Sequence, residues 1–261
     1  MSDDVLKVER SNGVLEVTLD RPKANAIDAA TSRRMGDLFA DFRDDPELRV
    51  AIVTGGGERF FSAGWDLMAA AEGERPDSDY GVGGFGGLQE LPDLNKPVIA
   101  AVNGMAVGGG FELALSADLI LAAEGARFSL PEINAGTLAD AATIKLPRRL
   151  PYHVVMDLLL TGRWMEAEEA KHWGLVNEIL SPDRLLARAR ELAHLLAEGP
   201  PLVFAAIKEF LRLNETLSVQ ESFALLHEKK VPTVNRLYDS EDQKEGARAF
   251  AEKRKPVWKG R

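Results

Sequence analysis

The residue best placed to do chemistry in this sequence is a carboxylate set among apolar neighbours, directly behind a run of glycines. Glu112 follows Gly108, Gly109 and Gly110 and lies between Phe111 and the run Leu113, Ala114, Leu115. Burying an ionised carboxyl in such company is costly unless it has a partner or a task. Upstream, Pro97 to Val102 is a β-branched apolar run that reads as a buried strand. Downstream, FELALSA is built of good helix formers. The glycines therefore turn a strand into a helix, leaving unpaired N–H groups at the positive end of the helix dipole. Glycine also lets a ligand approach that backbone closely. The run fits neither the GxGxxG nor the GxxxxGK[ST] pattern, so it does not single out a nucleotide phosphate. Other chemistries find little support. The chain has no cysteine, which removes disulfides, thiolate metal sites and a cysteine nucleophile. His153, His172, His194 and His227 are scattered, without metal-ligand spacing or a paired nucleophile, and read as ordinary helix residues.

The elements that must position this carboxylate follow from pattern. The 261 residues are enough for one large core, and the composition is that of an ordinary globular protein. Val5–Arg10 and Val14–Asp20 read as strands around a turn at Ser11-Asn12-Gly13, the second with one covered face. Asp28 is a plausible cap for a helix to about Arg43. Val50–Thr54 reads as a buried strand, Phe60–Ser62 as a short extended piece, and Trp65-Asp66 as the opening of a helix to about Glu72. Gly73–Gly87 reads as a surface excursion. Strands are expected at Leu119–Ala122, Arg127–Leu130 and Leu175–Leu180, and a helix at Ala141–Leu150. The last sixty residues read as wholly helical. The recurring order is two strands and then a helix. It predicts an α/β core followed by a helical C-terminal region, with a boundary near Ala197 to Pro201.

The net charge of −9 argues against general binding to nucleic acid or an anionic membrane. No apolar run approaches the length of a membrane span. The N-terminal MSDDVLKVER is acidic and lacks the apolar core of a secretory signal, so the expected compartment is the cytoplasm.

Four blocks in order, RPKANAID, ERFFSAGWDL, KPVIAAVNGMAVGGGFELALSAD and FSLPE, resemble the enoyl-CoA hydratase (crotonase) family. The resemblance runs from about Leu15 to Arg261. It implies a crotonase (ClpP-like) spiral of ββα units, with a core over 1–197 and a helical oligomerisation region over 198–261. It also implies a homotrimer or a hexamer built as a dimer of trimers, an acyl-CoA substrate, and no cofactor beyond the coenzyme A moiety and no metal. Hydration of an unsaturated thioester places negative charge on the thioester oxygen, and two backbone N–H donors stabilise that charge. The resemblance assigns these to Trp65 and Gly109. It assigns the proton work to Glu112, activating water, and Glu132, delivering the α-proton. Read without the resemblance, Glu132 is a loop or helix-capping carboxylate after Pro131. The presence of both glutamates favours a hydratase or dehydratase over the family's isomerases, thioesterases and decarboxylases.

The same resemblance places coenzyme A against the RPKANA loop and the SAGWDL turn. Lys23, Ala24, Ala63, Asp66 and Leu67 are the expected contacts there, and Gly108 and Pro131 complete the expected set that binds coenzyme A or substrate. Lys253 in the C-terminal tail is a further candidate for a phosphate. One departure stands out. The family usually has a Pro-x-x-Gly-Gly turn after the second glutamate, where this chain has Ala139-Asp140-Ala141-Ala142. That change reshapes the wall beside Glu132 and leaves a binding protein without catalysis as an alternative. Asp140 is read as either a pocket residue or the cap of the next helix. Should the acyl group carry a quaternary ammonium, Tyr80 or Phe85 is expected to help enclose it.

Overall fold

The computed structural model describes residues 5–261. β1 (Leu6–Ser11) and β2 (Val14–Leu19) form an antiparallel hairpin whose two turn residues, Asn12 and Gly13, both have positive φ. That is the turn geometry whose twist suits a two-residue hairpin. β3 (Ala26–Ile27) leads to α1 (Ala29–Asp44), capped by Asp28 accepting from Thr31 N–H at 2.7 Å.

A unit then repeats. β4 (Val50–Gly55) and β5 (Phe60–Ser62) are followed by β6 (Gly64–Trp65) and α2 (Leu67–Ala71). β7 (Val98–Val102) and β8 (Met105–Val107) are followed by α3 (Gly109–Leu115). β9 (Leu119–Ala123) and β10 (Arg127–Ser129) are followed by α4 (Glu132–Ala135). Next come α5 (Asp140–Lys145), α6 (Tyr152–Thr161), β11 (Met165–Glu166), α7 (Ala167–His172), β12 (Glu178–Leu180) and α8 (Pro182–Ala197).

The first strand of each unit joins a six-stranded sheet of order β1-β2-β4-β7-β9-β12, parallel except at the opening hairpin. The second strand of each joins a smaller sheet of order β11-β10-β8-β5, while β3 pairs with β6. Parallel strands covered on both faces need no polar side, and every residue of β4 and β7 is buried. This is the spiral of ββα units expected from the resemblance.

Several details differ from the sequence reading. β2 is covered on both faces rather than one, because α8 packs on the second. Buried Glu16 is met there by a paired ionic contact from Arg190, with both N···O distances 2.7 Å. The helix expected over Ala141–Leu150 stops at Lys145 and continues as a 3-10 turn at Leu146–Arg148, with Pro147 inside it. The strand expected from Leu175 is confined to Glu178–Leu180.

The C-terminal region contains α9 (Pro201–Asn214), α10 (Val219–His227), α11 (Pro232–Tyr238) and α12 (Glu241–Ala251). Residues 252–261 are not helical, contrary to expectation. They turn back along α12, where the Asp242 carboxylate accepts from the N–H groups of Lys259 and Gly260, each at 2.8 Å. Ala206 of α9 packs with Val231 and Val234 in a small apolar cluster separate from the main core. Among the described residues, no helix is long and apolar enough to cross a membrane.

Candidate active site

The glycine run does what its residue type suggests. Gly108 has φ +54° and its N–H donates to Ser129 O at 2.8 Å, tying the turn to β10. A Cβ at Gly108 would stand 2.6 Å from Glu132 Oε1, so the absence of a side chain lets this carboxyl reach the turn. Gly64, at φ +79°, is packed as tightly: a Cβ there would lie 2.5 Å from Val107 O and 2.7 Å from Gly109 N. The backbones of Gly64-Trp65 and Gly109 are therefore neighbours. Gly109 is the first residue of α3, so its N–H has no carbonyl partner within the helix.

Trp65, Gly109, Glu112 and Glu132 all line one cavity of about 310 Å³, together with Asp140, Tyr80 and Phe85. Glu112 is 5% exposed. Its Oε1 accepts from Ala142 N–H at 2.8 Å and its Oε2 from Gln89 at 3.4 Å. Desolvation, reinforced by the charges of Glu132 and Asp140 and opposed by the Ala142 N–H, pushes its pKa up to about 7. Glu132 is also raised by burial, and Asp140 adds to the effect. Its Oε2 is buried without a hydrogen-bond partner in the protein. Two acidic groups with elevated pKa values thus line the same cavity as Trp65 and Gly109.

This burial has a consequence for folding. Glu112 rises from 4.5 to about 7, so the folded chain keeps a proton that the unfolded chain releases in that window. The contribution of this one carboxyl is most favourable below pH 4.5, is lost as pH climbs toward 7, and is level beyond. Urea unfolding of the wild-type chain and Glu112→Gln should show the stability difference shifting against wild type by about 3 kcal/mol across that range. A difference that stays constant with pH would contradict the buried, proton-holding carboxyl.

Several supporting residues carried no motif in the sequence. Ala142, within the altered Ala139–Ala142 segment, supplies the N–H that holds Glu112. Asp140 proves to be the first helical residue of α5 and to line the cavity, while Ala139 occupies the cap position without a side-chain hydrogen bond. Lys145, whose pKa burial lowers to about 8, donates to Gln89 O at 2.9 Å and Ser116 Oγ at 2.8 Å. Glu74 accepts from the Trp65 indole at 2.8 Å and from Ala29 N–H at 3.0 Å, pinning the excursion to α1. Arg21 bridges Asp28, Asp66 and Ala26 O at 2.6–2.9 Å. No local pattern announces these contacts, since each joins residues remote in sequence or uses a backbone group.

The expected coenzyme A contacts lie outside the cavity lining, around the β3–β6 pair. Lys23 and Leu67 are exposed. Ala24 O accepts from Ala63 N–H at 2.9 Å. The Asp66 carboxylate is engaged by Arg21 and, as the cap of α2, by Met68 N–H at 2.9 Å. Pro131 occupies the cap position of α4, and Lys253 is exposed in the C-terminal tail.

Spiral and site together define a crotonase-type protein, and comparison with known proteins agrees. The chain matches the enoyl-CoA hydratase/isomerase family over residues 9–261 and belongs to it. It is 56% identical over 257 residues, 98% of each chain, to the carnitinyl-CoA dehydratase of Salmonella typhi. The same identity and coverage hold for the carnitinyl-CoA dehydratase of Citrobacter koseri. The enoyl-CoA hydratase structure from Mycobacterium tuberculosis H37Rv superposes with a TM-score of 0.90 at 39% identity, over 99% of this chain and 100% of that one. The enoyl-CoA hydratase from Bacillus anthracis gives 0.88 at 30%, again over 99% and 100%.

Proposed function

We propose that this chain is a hydro-lyase adding and removing water across the α,β double bond of an enoyl-CoA thioester, with carnitinyl-CoA and crotonobetainyl-CoA as its substrate pair. The observation that carries the reading is the meeting of Glu112, Glu132 and Gly109 around one cavity. In hydration, Glu112 takes a proton from water as its oxygen bonds to the β-carbon. The π electrons move to the thioester oxygen, where the N–H groups of Trp65 and Gly109 hold the enolate. The enolate then collapses, and its α-carbon takes the proton from Glu132. Dehydration runs the same steps backward, Glu132 removing the α-proton and Glu112 protonating the departing hydroxyl.

Lys23, Ala24, Ala63, Asp66, Leu67, Gly108 and Pro131 are proposed to line the path of the coenzyme A moiety, and the chemistry as written uses no further cofactor. The proposal extends to a homotrimer or a dimer of trimers in the cytoplasm. The oligomer is supported by apolar side chains at the surface of the C-terminal region, Leu211 at 59% and Phe250 at 87% exposure.

Loss of the enoyl absorbance of crotonobetainyl-CoA on adding the protein is the expected result. No change with that ester would remove the assignment, and turnover of crotonyl-CoA alone would favour a general short-chain enoyl-CoA hydratase. A pH series tests the paired carboxyls. The active form carries one proton on the pair, so kcat/KM should follow a bell with one limb near pH 7, where Glu112 titrates. Because hydration consumes no net proton, kcat/KM for dehydration must trace the same bell.

A further inference from the structure

We propose that Tyr80 and Phe85, with Asp140 beside them, form a subsite for a quaternary ammonium carried on the acyl group. The proposal rests on the carnitinyl-CoA reading above, whose acyl chain ends in a trimethylammonium. Such a cation has no N–H to donate, so it is bound by aromatic faces and negative potential rather than by hydrogen-bond acceptors.

Both features meet in the catalytic cavity. The rings of Tyr80 and Phe85 both bound it, with centroids 5.3 Å apart and planes at 76°. Phe85 also touches the reaction centre: a Cβ on Gly109 would lie 2.4 Å from Phe85 Cε1. The aromatic wall therefore begins beside the amide proposed to hold the thioester oxygen, within the span of a short acyl chain.

The charge of the lining is one-sided. Besides the two catalytic glutamates it includes Asp77, Glu90 and Asp140, and among the described residues no lysine, arginine or histidine contributes. Asp77 is already paired with Arg75, at 2.8 and 2.9 Å. Asp140 is bonded to Ala141 N–H at 2.7 Å, which leaves its charge uncompensated by any ion pair among the described residues. The acidic groups near Tyr80 raise its hydroxyl, with burial the larger cause, to about 12, consistent with a ring that sits in their field.

The excursion carrying both rings is also fixed in place. Tyr80 OH donates to Arg75 O at 3.0 Å, Gly86 N–H donates to Ser32 Oγ at 3.1 Å, and Gly87 lies so close to α1 that a Cβ would meet Gly36 N at 2.4 Å. A preformed wall needs no ordering on binding.

The test compares cationic and neutral esters on the same protein. For wild type, Tyr80→Leu, Phe85→Leu and Asp140→Asn, kcat/KM is measured with crotonobetainyl-CoA and crotonyl-CoA. Dissociation constants are measured in parallel with the saturated pair γ-butyrobetainyl-CoA and butyryl-CoA. Wild type should prefer the cationic member of each pair, and each variant should lose about 3- to 30-fold of that preference. The neutral ester measured on the same variant separates this loss from misfolding. Equal losses on both esters, or an unchanged ratio in all three variants, would overturn the subsite while leaving the hydratase reading intact. Wild-type inactivity toward crotonobetainyl-CoA would overturn that reading instead. The saturated pair then decides the subsite: a cationic preference abolished in the leucine variants upholds it, and no preference overturns it.

Discussion

Glu112→Gln is expected to lower kcat for hydration by about 10²- to 10⁴-fold, the range found when a positioned general acid or base is removed. Glutamine keeps the size of the side chain and an oxygen that can still accept from Ala142 N–H, so the cavity should keep its shape. What disappears is a carboxyl able to exchange a proton near pH 7. KM should move much less than kcat, because the group acts on water and not on the coenzyme A carrier. Steady-state rates from the enoyl absorbance, with binding of a saturated acyl-CoA as control, separate the two. A variant retaining more than a tenth of wild-type kcat would rule out Glu112 as the residue that activates water.

Gly64→Ala tests the other half of the site, through geometry rather than chemistry. The added methyl would meet Val107 O at 2.5 Å and Gly109 N at 2.7 Å, both backbone atoms that cannot turn aside. The positive φ adds strain for any residue with a Cβ. β6 must then move away from the glycine turn, pulling Trp65 N–H and Gly109 N–H out of register. Displacing one such donor should reduce kcat by about 10²- to 10³-fold. Denaturant unfolding should show a stability loss as well, so rates are to be normalised to folded protein. If kcat per folded molecule stayed at the wild-type level, the two amides would not be acting together on an oxyanion.

Much of this architecture was readable because its signals are local. β4 and β7 are apolar runs, Asp28 is a cap followed by a helical pattern, and glycines mark the turn before Glu112. The spiral and the pairing of Glu112 with Glu132 needed the resemblance, since Glu132 alone looks like a loop carboxylate after a proline. The short strands β3, β6, β8 and β11 escaped notice because two or three residues cannot display a period. The supports of the site escaped for another reason. Gln89 meets Glu112 across 23 residues and Arg21 meets Asp66 across 45, distances over which sequence spacing carries no geometric information. The Ala139–Ala142 segment, read as reshaping the wall beside Glu132, also provides the amide that steadies Glu112.

The winding of the chain also bears on how the reaction centre comes into being. Trp65, Gly109 with Glu112, and Glu132 belong to three consecutive coils, each ending in its own short helix. No single coil holds a working set of groups, and the amide that steadies Glu112 arrives only after the third has been laid down. If these residues act as proposed, a chain emerging from the ribosome stays inert until that stacking is finished. A fault in the pitch of any one coil is felt at the same few atoms.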